Sequence, residues 1–119
     1  MTHNVVVEWA PFAVKPDVND VELIAASEAL QNDFLSRQRG LIRRELLKGQ
    51  NGQWVDLVVW ESRDAADQAV KNAAESPVCF QYFQLMADAD HDDAGVGVFH
   101  FERIREYERQ GDLEPDSKT

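Results

Sequence analysis

Leu41-Ile42-Arg43-Arg44-Glu45-Leu46-Leu47-Lys48-Gly49-Gln50-Asn51-Gly52-Gln53-Trp54-Val55-Asp56-Leu57-Val58-Val59-Trp60-Glu61 reads as a β-hairpin, and its setting decides the fold. Leu41 to Lys48 alternates as a strand does, and Trp54 to Glu61 is β-branched and aromatic. Between them lies Asn51-Gly52, a pair that favours the tight turn of a two-stranded hairpin. The hairpin is flanked on both sides by helical signals. Upstream, Asn19 is a capping residue with Glu22 three positions on. Leu23, Ser27, Leu30 and Phe34, with Ile24 and Leu35 beside them, recur at helical spacing, and Gly40 is expected to end that helix. Downstream, Ser62 caps a second helix whose Ala66, Ala69, Val70 and Ala73 form a small-residue face.

Two outer strands complete the pattern. Val5 to Phe12 is one, closed by Pro11 and Pro16, and Val96 to Ile104 is the other. Ser76-Pro77 opens a short helix carrying Val78, Phe80, Phe83 and Met86. Asp88 to Asp93 reads as an acidic loop. The order is strand, helix, strand, strand, helix, short helix, strand. That is an α+β, ferredoxin-like split βαβ arrangement: a four-stranded antiparallel sheet with its helices on one face. The expected domain spans residues 1–107, followed by a polar tail over 108–119.

The strands lack the clean apolar and polar alternation of a sheet with one wet face. Val5-Val6-Val7, Leu57-Val58-Val59-Trp60 and Val98-Phe99 place apolar groups on both sides. Helices cover one side only, and the other would leave an apolar patch larger than a monomer usually exposes. A homodimer joined through that second face is therefore expected, burying well over ~1,000 Å².

Composition narrows the functional classes. The 119 residues suffice for one core, with 44% hydrophobic and 29% charged side chains, as in an ordinary globular protein. Net charge is −10, from 22 acidic and 12 basic residues. Such a field repels phosphate backbones and anionic lipid, so neither nucleic acid nor membrane is an expected partner. The single cysteine, Cys79, permits no internal disulfide. The start, Met1-Thr2-His3-Asn4, does not read as a signal peptide, and a cytoplasmic location is expected.

Over residues 4 to 105 the chain resembles the dimeric α/β-barrel superfamily, within it the antibiotic biosynthesis monooxygenase-like family. The resemblance rests on the element order, on Gly40-Leu41-Ile42-Arg43-Arg44-Glu45, and on Trp60-Glu61-Ser62 with Ala65-Ala66. It implies two subunits whose sheets pack back to back into a barrel, with a small-molecule cavity between sheet and helices. One group of the family oxidises polyketide aromatics with molecular oxygen and no cofactor, and for that group Trp60 is the position carried over. Another group degrades haem and needs an axial histidine after the Trp-containing strand. Ser62 to Ala87 contains no histidine. Asn4 and Trp60 fall where that group places an asparagine and a tryptophan, but without an iron ligand no haem is expected.

Polar residues in otherwise apolar strands are the remaining signal, because burying an unpaired polar group is costly. They are Glu8, Arg43, Arg44, Glu45, Asp56, His100 and Glu102. His100 is the candidate acid–base residue, since an imidazole titrates near neutrality and could deprotonate a phenol or enol before oxygen attack. A strand histidine bonded to a neighbouring carboxylate is the structural alternative. Glu8 with Arg43 or Arg44 could be an ion pair that orients a ligand or simply ties two strands. Trp9, Trp54 and Trp60, with Phe80, Tyr82 and Phe83, could line an aromatic-binding cavity or form core. His3, His91 and His100 show no metal-ligand spacing, and no metal is expected. The residues thus nominate His100 and Trp60 for chemistry and Glu8, Trp9, Arg44, Phe80 and Phe83 for binding. The expected function is cofactor-independent oxygenation of a small aromatic or quinone-like molecule. The alternative is a non-catalytic small-molecule-binding or stress-related dimer of the same fold.

Overall fold

The computed structural model describes residues 4–87 and 97–109. Its elements are β1 (Val6–Ala13), α1 (Asp20–Asp33), β2 (Leu41–Lys48), β3 (Gln53–Trp60), α2 (Arg63–Ala73), α3 (Pro77–Phe83) and β4 (Phe99–Glu102). The strands lie in the order β2-β3-β1-β4, every neighbouring pair antiparallel. This is the ferredoxin-like arrangement expected from the element order. The acidic Asp88–Asp93 stretch and the end of the polar tail lie outside the described residues.

Local chemistry accounts for the element ends. Asn19 accepts from the Glu22 backbone N–H at 2.8 Å, Ser62 from that of Ala65 at 3.1 Å, and Ser76 from that of Cys79 at 3.3 Å. Each satisfies a donor that a helix N-terminus leaves unpaired. In the hairpin, Asn51 (φ 59°) and Gly52 (φ 78°) both adopt left-handed conformations. Gln50 and Gln53 close the turn through a 3.2 Å backbone bond. The primed turns that match strand twist need positive φ at both central positions.

Two boundaries differ from expectation. The helix stops at Asp33, not Gly40, because Phe34 leaves helical geometry and a 3-10 turn follows over Leu35–Arg37. Phe34 and Leu35 are both buried, so the bend turns two large apolar groups inward together. Gly40 acts instead at the entry to β2, with φ +88° and its carbonyl accepting from the Glu61 N–H at 2.8 Å. The fourth strand is also shorter than Val96–Ile104. Gly97, at φ +81°, turns the chain just before Phe99.

Strand register sorts the side chains. Val6, Glu8, Ala10 and Phe12 share a face with Trp54, Asp56, Val58, Trp60, Arg44 and His100. The core lies on this face, where Leu23, Leu30, Phe34, Trp60, Ala66, Ala69, Cys79 and Tyr82 are buried together. The other face carries Val7, Trp9, Val55, Leu57, Val59, Phe99 and Phe101. Val59 is buried there, but Trp9 is 39% exposed, Phe99 53% and Phe101 56%. None of the described helices covers the aromatic end of that face.

A Cβ placed on Gly40 would meet the Ala65 Cβ at 2.6 Å, in a conformation that L side chains rarely adopt. Gly40→Ala should therefore cost about 1–3 kcal/mol. Denaturant unfolding measures the loss, and Gly52→Ala, which meets no close neighbour, separates the steric part from the backbone part.

Candidate functional site

A cavity of about 370 Å³ opens between the core face of the sheet and the helices. β1 contributes Glu8, Ala10 and Phe12, and β3 contributes Asp56, Val58 and Trp60. Leu30 and Phe34 close it from the first helical segment, Ala69 and Ala73 from α2, and Tyr82 and Phe83 from α3. Met86 and Ala87 line one end, where the chain after α3 runs back beside the end of β1. There Lys15 N–H donates to Leu85 O and Ala87 N–H to Ala13 O, at 2.9 and 2.8 Å. The size falls within the ~300–1,000 Å³ typical of small-ligand pockets. The small side chains of Ala69 and Ala73 keep α2 from filling it.

Two polar clusters are built into this apolar wall. In the first, the Trp60 indole N–H donates to Glu8 Oε1 at 3.0 Å, and His100 Nε2 lies 3.2 Å from the same oxygen. Register explains the meeting: Glu8 sits opposite His100 on β4, and Trp60 is one same-face step along β3. Side-chain exposure is 9% for His100 and 15% for Glu8. Trp60 is 1% exposed, so its N–H has no water to fall back on.

The second cluster centres on Asp56. Arg44 reaches Oδ1 through Nε at 3.0 Å and Nη2 at 2.8 Å, while the Tyr82 hydroxyl donates to Oδ2 at 2.7 Å. Arg44 Nη1 donates to the Ser27 carbonyl at 3.1 Å, and Nη2 lies 3.3 Å from the Tyr82 oxygen. Burial pushes the Asp56 carboxyl above its ordinary value, and the Arg44 charge and the Tyr82 bond act against that shift. Burial, then the charge of Asp56, pushes the Tyr82 hydroxyl well above its usual range, so it remains a donor. The Cys79 thiol is raised by burial as well and stays protonated.

The nominated residues separate cleanly. Glu8, Trp60, Arg44 and Phe83 line the cavity. His100 lies on the same face but turns its Nε2 to Glu8, and it is not among the cavity walls. Trp9 projects from the opposite face, paired with Leu57 and Phe99, and Phe80 is 47% exposed on the outside of α3. Neither lines the cavity. Trp9 follows from alternation with Glu8, whereas Phe80 is set by how α3 is rotated. The ion pair supposed between Glu8 and Arg43 or Arg44 does not form: Arg43 pairs with Glu45, and Arg44 with Asp56. Tyr82 was read only as one aromatic among several. Its hydroxyl within an apolar helix face was the signal that a buried acceptor stood opposite. No group of three or more potential metal ligands is assembled among the described residues.

Neither a family model nor a curated protein matches the chain in sequence. Its fold is shared with solved structures. The cofactor-independent oxygenase SnoaB of Streptomyces nogalater aligns over 95% of this chain and 99% of its own, at 20% identity and TM-score 0.61. A Bordetella bronchiseptica protein assigned to the antibiotic biosynthesis monooxygenases aligns over 87% and 100%, at 17% identity and TM-score 0.68. Rv0793 of Mycobacterium tuberculosis aligns over 87% and 99%, at 21% identity and TM-score 0.61. The chain thus has the ferredoxin-like α+β fold of the antibiotic biosynthesis monooxygenase-like proteins. At these identities the likeness is one of fold.

The Asp56 cluster makes two testable demands. Arg44→Ala strands a buried carboxylate and should destabilise by about 3–5 kcal/mol, whereas Tyr82→Phe, losing one donor, should cost about 1–3 kcal/mol. The raised pKa of Tyr82 favours the folded state fully below the unfolded value near ~10, and that contribution fades as pH climbs past it. Stability of the parent should therefore fall more steeply above pH ~10 than that of Tyr82→Phe. Denaturant midpoints measured across this range check the sign.

Proposed function

We propose that this protein is a homodimeric, cofactor-independent monooxygenase-like enzyme that oxidises a small phenolic or quinone-like aromatic with molecular oxygen. The observation that carries the reading is the cavity beneath the sheet, apolar and aromatic except at the Arg44–Asp56–Tyr82 cluster and where the Glu8 carboxylate is held by Trp60 and His100. An aromatic hydroxyl lodged there meets a fixed acceptor among largely apolar walls. Loss of its proton to the Glu8–His100 pair raises the electron density of the ring, as direct reaction with oxygen requires. Trp60 orients the acceptor and forms part of the wall, with Phe83 and the Arg44 cluster opposite.

The dimer reading is supported by the second sheet face, where Trp9, Phe99 and Phe101 remain exposed beside the buried Val59. A second copy of the same face would cover this patch by two-fold symmetry. The setting proposed is the cytoplasm, where the thiol of Cys79 stays reduced. None of the described helices is long and apolar enough to cross a membrane.

An oxygen-electrode screen against hydroquinones and anthrone-like phenols tests the activity. Trp60→Phe and His100→Ala should each slow uptake by at least about tenfold, the range for a positioned acid–base group. Uptake indifferent to both substitutions removes the mechanism. Tight ligand binding with no uptake shifts the reading to a small-molecule-binding protein. Sedimentation velocity should show a dimer that Phe101→Glu dissociates, since a charge at the seam leaves an unpaired buried carboxylate.

A further inference from the structure

We infer that Glu8 Oε2 is the atom that takes the ligand's proton, with His100 and Trp60 as positioning residues, and that the cavity therefore selects a neutral aromatic bearing an O–H group. This deepens the reading above and rests on the cavity being a site for an aromatic ligand.

The two oxygens of Glu8 are not equivalent. Oε1 takes both the Trp60 N–H and the His100 Nε2, at 3.0 and 3.2 Å. Among the described residues none donates to Oε2, although the side chain lines the cavity. Opposite a carboxylate, which only accepts, the 3.2 Å contact is a hydrogen bond in the tautomer with the hydrogen on Nε2, and in that tautomer Nε2 is no base. His100 also does not reach the cavity wall, whereas Glu8 does. Two donors on one oxygen hold the carboxylate in a single orientation and leave the lone pairs of the other for a ligand.

The rest of the wall decides the ligand's charge. Arg44 is the one cation among the described lining residues, and its guanidinium is committed to Asp56 and the Ser27 carbonyl. Asp56 in turn is committed to Arg44 and Tyr82. An incoming carboxylate would face Glu8 with no free cation among the described lining residues to offset it. A neutral phenol or enol instead supplies the one donor that Glu8 lacks. On transfer its O–H bond breaks, an Oε2–H bond forms, and the electron pair stays on the ligand oxygen. Oε1 keeps both of its donors throughout, so no side chain has to move.

Calorimetry at neutral pH with naphthol, its methyl ether and naphthoate tests the assignment without calling on oxidation. The parent should bind naphthol roughly tenfold or more tightly than the ether, as expected for a hydrogen bond to a charged acceptor, and naphthoate no better than the ether. Bound naphthol should show the red-shifted absorption of a naphthol donating to a charged acceptor. The isosteric Glu8→Gln should remove most of that shift and bring phenol and ether close to parity. His100→Ala should weaken the discrimination, and His100→Gln, which restores a donor, should recover it. Equal affinity for phenol and ether in the parent, discrimination retained in folded Glu8→Gln, or no binding of any probe would each overturn the inference. Discrimination without oxygen uptake would leave it standing while removing the oxygenase reading. Uptake without discrimination would do the reverse.

Discussion

The helix-covered face of the sheet is largely withdrawn from water, and a polar side chain on that face depends on partners within the protein. Glu8, Arg44, Asp56 and His100 all point to that side, each on a strand whose neighbours are apolar. An unpaired carboxylate or guanidinium there would cost several kcal/mol, a substantial part of a small domain's stability. The structure meets the demand with two separate clusters. Around Asp56 the matching is complete, for the carboxylate has a bidentate cation on one oxygen and a phenol on the other. Around Glu8 it is one-sided. The Asp56 cluster is saturated, and the Glu8 cluster has both of its donors on one oxygen.

The open space beside Glu8 arises from packing as much as from polarity. Protein interiors are dense, and a void of this size persists only where the elements around it are held apart. Trp60 and Tyr82 are large and buried, and they brace the sheet against α3. The alanines of α2 approach closely at Ala66 and Ala69 yet fill little volume towards the cavity. The return of the chain past Leu85 to Ala87 closes the remaining gap along β1. The resulting chamber has apolar and aromatic walls, with the Glu8 carboxylate among them.

The two faces of the sheet are built differently. One carries the core, the cavity and the buried polar clusters; the other carries exposed aromatic surface around Trp9, Phe99 and Phe101. Glu8 and Trp9 are adjacent in the chain and belong to different faces, so one strand serves both. Alternation places His100 beside Glu8 on one side and Phe99 and Phe101 on the other. A shift of one residue in β4 against β1 would turn His100 away from Glu8 and carry Phe99 and Phe101 to the core face.

Local patterns settled much of this architecture. Asn51-Gly52, the caps at Asn19, Ser62 and Ser76, and the stripe from Leu23 to Phe34 depend on neighbours a few residues away, and all appear where the residues indicate. The excess of apolar groups on both sides of the strands was equally legible, being a matter of period two. Tertiary contact alone decided the rest. Arg44 joins Asp56 and Tyr82 across 12 and 38 residues, and Glu8 meets His100 across 92. Charge type cannot say which of several carboxylates an arginine will choose, because that depends on register and on the rotation of α3. The same rotation carried Phe80 outward and Phe83 inward. The early end of α1 was set by the burial of Phe34 and Leu35, a gain that exists only once the sheet is present to receive them.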